Sequence, residues 1–174
     1  MTITISGNPG SGKSTVAELL EKKLGIKYVY SGMIFRELAE NHNMSLEEFG
    51  RYCEENCDID KELDDRQIKI LKKGNVILEG RLAGWLAHLN NISAFKVAII
   101  TDLGIRAKRI VNREKGSVEA RKKEILERER SEYARYKKYY NIDLEDTSIY
   151  DIVIDSGDKS PEEILNLIIQ KLDK

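Results

Sequence analysis

The amino-acid sequence predicts an α/β fold: a five-stranded parallel sheet with helices on both faces. Two patterns carry that reading. Short β-branched runs alternate with longer stretches of helical periodicity, and several of the runs are apolar throughout, as strands covered on both faces require. A third observation, a glycine-rich loop joining the first strand to the first helix, fixes where the chain turns back onto the sheet.

The candidate strands are residues 2–6, 27–30, 76–78, 96–101 and 149–155. After the glycine loop, Val16, Leu19, Leu20 and Leu24 recur at helical spacing. Ser45-Leu46-Glu47-Glu48 has the form of a capping box, and so has Ser160-Pro161-Glu162-Glu163, with proline at the first helical position. The second box opens a C-terminal helix whose Ile164, Leu165, Ile168, Ile169 and Leu172 make a packing stripe. Residues 106–140 read as two charge-rich helices joined near Lys115-Gly116-Ser117. On the second of them Arg128, Glu132, Arg135 and Tyr139 share one face, opposite Leu126, Tyr133 and Tyr140.

A chain of 174 residues with 41% apolar and 34% charged residues is expected to form one soluble domain, 1–174, with no linker. Its net charge of −1 offers no electrostatic footprint for nucleic acid or a membrane surface. No apolar run reaches the roughly 18 residues of a membrane span. Residues 1–5 read as a strand rather than a secretory leader, so a cytoplasmic protein is expected. Cys53 and Cys57 read as reduced thiols on or near a core face; a zinc site would need two more soft ligands, and His42 is the only close candidate.

Gly7-Asn8-Pro9-Gly10-Ser11-Gly12-Lys13-Ser14 matches G-x-x-x-x-G-K-[ST] in full, between a strand and an amphipathic helix. The glycines let backbone N–H groups converge on phosphate oxygens, and the helix start adds its positive dipole end. Lys13 supplies a point charge for β- and γ-phosphates, Ser14 is placed to ligate Mg²⁺, and Thr15 can reach an α-phosphate. The motif alone covers ATPases, GTPases and kinases.

Three further groups narrow the choice. Ser31 and Gly32 with Arg36 suit an acceptor phosphate held at a helix start. Glu79 ends a buried strand, where it can hold Mg²⁺ through water, and Gly80-Arg81 follows with a guanidinium able to clamp a phosphate. Arg106, Arg109 and Arg113 share a helical face, a segregation that a solvated helix does not need.

With these residues in view, the chain resembles the nucleoside monophosphate kinases of the P-loop NTPases over almost its whole length. It is most similar to the archaeal-type cytidylate kinases. The resemblance lies in Gly7–Thr15, in Ser31-Gly32 with Ile34-Phe35-Arg36-Glu37-Leu38-Ala39, and in Leu78-Glu79-Gly80-Arg81-Leu82-Ala83-Gly84-Trp85. It continues through 105–110 and 140–143 to Ser148-Ile149-Tyr150-Asp151. Adenylate kinases carry Asp-Gly-x-Pro-Arg where this chain has Glu79-Gly80-Arg81. The resemblance implies ATP as donor with Mg²⁺, CMP or dCMP as acceptor, small nucleotides as the only partners, and a monomer. It also implies an acceptor-binding region over about 31–72 and a short lid over about 114–119. Arg36 and Arg81 would hold the acceptor phosphate, Arg109 and Arg113 would lie at the donor, and Arg128 and Arg135 would close on the transferring group. Glu132 would stand near the acceptor ribose, and Asp65 and Arg66 would face the acceptor. An adenylate or broad nucleotide kinase shares all the phosphate contacts and stays open as an alternative. A P-loop regulatory module would carry Asn-Lys-x-Asp and Asp-x-x-Gly, and neither occurs.

Overall fold

The computed structural model describes residues 1–45, 48–49, 52 and 56–173. Its five strands are β1 (Ile3–Gly7), β2 (Lys27–Tyr30), β3 (Val76–Glu79), β4 (Phe95–Ile100) and β5 (Ile152–Asp155). They form one parallel sheet in the order β2-β3-β1-β4-β5. Among the described residues the helices are α1 (Lys13–Leu24), α2 (Ser31–Asn41), α3 (Cys57–Lys73), α4 (Ala83–Leu89), α5 (Leu103–Glu114), α6 (Val118–Tyr140) and α7 (Pro161–Leu172).

The two faces of the sheet follow from the two-residue period of a strand. Ile3 and Ile5 of β1 join Ile77, Val97 and Ile99 beneath α1 and α7, whose Val16, Leu20, Ile164 and Ile168 complete that layer. On the opposite face Leu78 packs with Ile34 and Leu38 of α2, Leu71 of α3 and Trp85 of α4. Thr4 and Ser6 alternate with the β1 isoleucines, and Ser6 Oγ accepts the Gly84 N–H at 3.0 Å, which draws α4 against the strand. Strand β1 is central, with β3 on one side and β4 on the other, so the chain order reverses about it. Ligands of open α/β sheets bind in the crevice beyond the carboxyl ends of strands at such a reversal.

The local signals behave as their chemistry dictates. Ser160 caps α7 through the Glu163 N–H while Glu163 returns a bond to the Ser160 N–H, a complete capping box. The same reciprocal pair joins Ser45 and Glu48. Two expectations need correction. The last strand begins at Ile152, not 149, because residues 147–150 close a turn through the Tyr150 N–H and the Thr147 carbonyl. On α6 the inward residues are Ile125 and Glu132, with Tyr136 and Tyr140 packed behind, while Leu126 and Tyr133 face solvent. Cys53 lies outside the described residues.

Candidate active site

A cleft of about 1000 Å³ opens at the carboxyl ends of β1 and β3. The glycine loop, the start of α2, one face of α3 and the inner face of α6 line it. Gly10 in the loop has φ +80, and a Cβ there would lie 2.8 Å from the Arg106 carbonyl oxygen, so only glycine lets the loop sit this tightly on α5. Gly12, also left-handed, leads into α1 without a side-chain cap, which leaves the helix's first N–H groups for a ligand.

Lys13 Nζ donates to the Asn8 carbonyl at 3.1 Å and lies 3.8 Å from Glu79 Oε1. Burial pushes the ammonium pKa below its ordinary value, with Arg81 and Arg128 adding to that pressure and Glu79 opposing it. Such a site favours an added anion. Glu79 Oε2 accepts the Ser14 hydroxyl at 3.0 Å and the Tyr28 hydroxyl at 2.6 Å. Burial, reinforced by that bond to Glu79, pushes the Tyr28 phenol upward, so Tyr28 stays a donor that holds the carboxylate in place. A hydroxyl and a carboxylate oxygen side by side are hard oxygen donors, and they fit the ligand chemistry of Mg²⁺.

Opposite the loop, the buried Glu132 carboxylate bridges two arginines. Arg81 Nε donates to one oxygen at 3.0 Å and Arg128 Nε to the other at 2.7 Å. Arg81 also donates to the Asn8 side-chain oxygen, while Asn8 Nδ2 donates to Glu129 Oε1 at 2.5 Å. The loop, β3 and α6 are thereby tied by one polar chain. Arg128 is 64% exposed and Glu132 only 5%, so the carboxylate is anchored and the Arg128 head is free to swing. Arg135 stacks on Tyr136 and lines the same wall.

The predicted residues divide accordingly. Gly7, Pro9, Gly10, Lys13, Ser14, Ser31, Gly32, Glu79, Gly80, Arg81, Arg113, Arg128, Glu132 and Arg135 meet around the cleft. Arg109 lies behind the loop, donating to the Ser11 carbonyl at 3.3 Å and to Ser156 Oγ at 2.9 Å. Arg36 stands outside the lining and donates to the Tyr30 hydroxyl at 2.5 Å. Asp65 and Arg66 also stand outside it: Asp65 is exposed, and Arg66 lies 3.8–3.9 Å from Glu62 and Glu37. Their neighbours Asp64 and Gln67 line the cleft instead. The 114–119 connection does not reach the cleft, whose outer wall comes from α6.

Several participants leave no local sequence signal. Tyr28, Glu129, Ser156, Asp64 and Tyr140 are recruited by tertiary contact from distant segments. Arg106 is a related case. Its guanidinium is buried, donating to Glu129 Oε1 at 2.7 Å and to the Thr101 carbonyl at 3.2 Å. It acts on the loop from behind. Arg106→Met takes away the charged partner of Glu129 and leaves it the Asn8 amide, and we expect a loss of roughly 1–3 kcal/mol in denaturant unfolding. A raised KM for the donor nucleotide should accompany it.

Residues 2–158 match the family model described as the cytidylate kinase-like family. The chain is 44% identical to the cytidylate kinase of Methanocaldococcus jannaschii, over 99% of this chain and 98% of that one. It is 41% identical to the cytidylate kinase of Pyrococcus horikoshii, over 99% and 88%. Among solved structures, an uncharacterized protein from Eubacterium ventriosum superposes with TM-score 0.75 at 19% identity, over 100% and 99% of the two chains. Shikimate kinase from Aquifex aeolicus follows with TM-score 0.62 at 21% identity, over 99% and 96%. At those identities the likeness is one of fold. With its P-loop at the sheet reversal and sequence relatives spanning its whole length, the chain belongs to the cytidylate kinase-like family.

Proposed function

We propose that this protein is a cytidylate kinase that moves the γ-phosphoryl group of ATP onto the 5′-phosphate of CMP or dCMP. The observation that carries the reading is the bridge of Arg81 and Arg128 across Glu132, facing Lys13 over one cleft. A P-loop needs one cluster of positive charge for one nucleotide; a second cluster suits a second phosphorylated substrate.

In the reaction an oxygen of the acceptor phosphate attacks the γ-phosphorus, the bond to the ADP oxygen breaks, and ADP leaves with the electron pair. The attacking oxygen is already anionic, so no general base is required. Catalysis then consists of alignment and charge neutralisation. The loop amides and Lys13 hold the donor phosphates. Arg81 holds the acceptor phosphate in line. Arg128 and Arg135 approach the transferring group from α6, with Arg128 leaving Glu132 as a phosphate oxygen takes the carboxylate's place. Ser14, with Glu79 through water, would hold Mg²⁺, which would neutralise charge on the donor phosphates when bound. Arg113 at the cleft and Arg109 behind the loop are the donor-side arginines. No helix among the described residues is long and apolar enough to cross a membrane.

A coupled assay of ADP formation tests this with CMP, dCMP, UMP, AMP and GMP as acceptors. CMP and dCMP should be turned over with the highest kcat/KM. Robust turnover of AMP with none of CMP would remove the cytidylate reading and leave a kinase of another acceptor.

A further inference from the structure

Asp64 and Gln67 lie one turn apart on α3, 5% and 3% exposed, and both line the cleft. Gln67 Nε2 donates to Asp64 Oδ1 at 3.1 Å. From the end of α6 the Tyr140 hydroxyl donates to Asp64 Oδ2 at 2.6 Å. Burial and the bond to Asp64 push the Tyr140 phenol upward, so it keeps the proton it donates. With both carboxylate oxygens accepting, the Gln67 amide has one permitted direction: nitrogen toward Asp64, oxygen away from it. That oxygen, Oε1, is buried and has no hydrogen-bond partner among the described residues. A native fold keeps such an acceptor against its cost to stability when a ligand satisfies it.

The place of Oε1 narrows the ligand group. A Cβ built on Gly80 would lie 3.1 Å from Gln67 Oε1 and 3.1 Å from Ser31 Oγ. Gly80 therefore leaves a notch between α2 and α3, one residue before Arg81. An acceptor oxygen repels phosphate, so the notch serves a part of the acceptor nucleotide that donates a hydrogen. Cytosine carries an amino group at position 4 where uracil carries a carbonyl oxygen.

We propose that Gln67 Oε1 determines acceptor specificity by accepting the 4-amino group of the cytosine ring, and that Asp64 and Tyr140 are positioning residues that lock the direction of the amide. Uracil would set its carbonyl oxygen against Oε1, leaving two buried acceptors facing each other. The assignment rests on the cytidylate kinase reading and names the atom that reads the base.

The test is kcat/KM for CMP and UMP with the full-length protein and two variants. Gln67→Leu should lose roughly 10- to 100-fold with CMP, the effect of one unmatched buried hydrogen bond, and leave UMP little changed. Asp64→Asn makes a sharper prediction. Tyr140 holds the introduced carboxamide by its oxygen, so its NH₂ faces Gln67. The Gln67 amide then turns over and offers Nε2 to the cleft, and the CMP-to-UMP ratio should move toward UMP. If Gln67→Leu does not fold, Asp64→Asn still carries the ratio test. Equal losses with both acceptors in both variants would overturn the proposal, because a ribose contact or a merely structural role does not distinguish the bases. A wild-type protein inactive on CMP would instead defeat the functional reading beneath it, so the two failures are separable.

Discussion

Lys13→Met should lower kcat by roughly 10³-fold or more while the protein melts at an unchanged or higher temperature. The two halves of that expectation share one cause. Lys13 is buried among Arg81 and Arg128, and burial already works against its charge. The carboxylate of Glu79 repays that burial only in part, since it is 3.8 Å away and takes hydrogen bonds from Ser14 and Tyr28 as well. Replacing the ammonium with a thioether of similar length removes a desolvated cation and leaves Glu79 with two donors, a change that is commonly neutral or stabilising. The charge is needed when the donor phosphates arrive. Steady-state kinetics beside a thermal melt reads both halves. A variant that unfolds would give Lys13 a structural role, and a folded variant with full activity would take it out of the mechanism.

Arg81→Ala should be the next most damaging change, costing roughly 10²–10³-fold in kcat/KM for the acceptor. Arg81 is hydrogen-bonded both to the glycine loop, through the Asn8 side chain, and to α6, through Glu132. Its removal takes away the acceptor clamp and leaves the loop tied to α6 through Glu129, by Asn8 and Arg106. Glu132 keeps Arg128, so a folded protein should be recovered. Arg81→Lys should restore little, because a point charge cannot replace a planar fork that meets two partners at once. Activity close to wild type in Arg81→Lys would mean that only charge, and not geometry, is required at this position.

The parts of the molecule that were legible in sequence are those whose chemistry is contiguous in the chain. Residues 7–14 contain the whole phosphate loop, with the strand before and the helix after supplying the context. The apolar run 76–78 became β3, a strand buried throughout that shows no alternation to misread, and the β-branched and aromatic stretch 27–30 became the edge strand β2. The stretch 149–155 was overextended because Ile149 is apolar and packs against the core from a turn, and hydrophobicity does not distinguish a packed turn from a strand. On α6 the polar face of Arg128, Glu132, Arg135 and Tyr139 was read where it lies, and the stripe set opposite it was, but for Tyr140, not a packing face. Inward-facing positions of this helix line a polar cleft for much of their length, so Glu132, Arg128 and Arg135 sit where core residues are expected and Leu126 and Tyr133 turn outward. An error of phase placed Asp65 and Arg66 at the acceptor. A shift of one residue rotates a helix by about 100°, and Asp64 and Gln67 hold that face. Contacts such as Tyr28 on Glu79, 51 residues apart, and Tyr140 on Asp64, 76 apart, leave no trace in spacing at all.

We propose that one cleft holds two phosphorylated nucleotides at once, joined across Lys13 and Arg81. Titration calorimetry with a bisubstrate molecule, adenosine and cytidine linked through a polyphosphate chain, tests it most directly. One molecule should bind per protein, far more tightly than ATP or CMP alone, and should exclude both. Its affinity should fall in Lys13→Met and in Arg81→Ala. A bisubstrate molecule that displaces ATP but leaves CMP binding at its original affinity would contradict the claim.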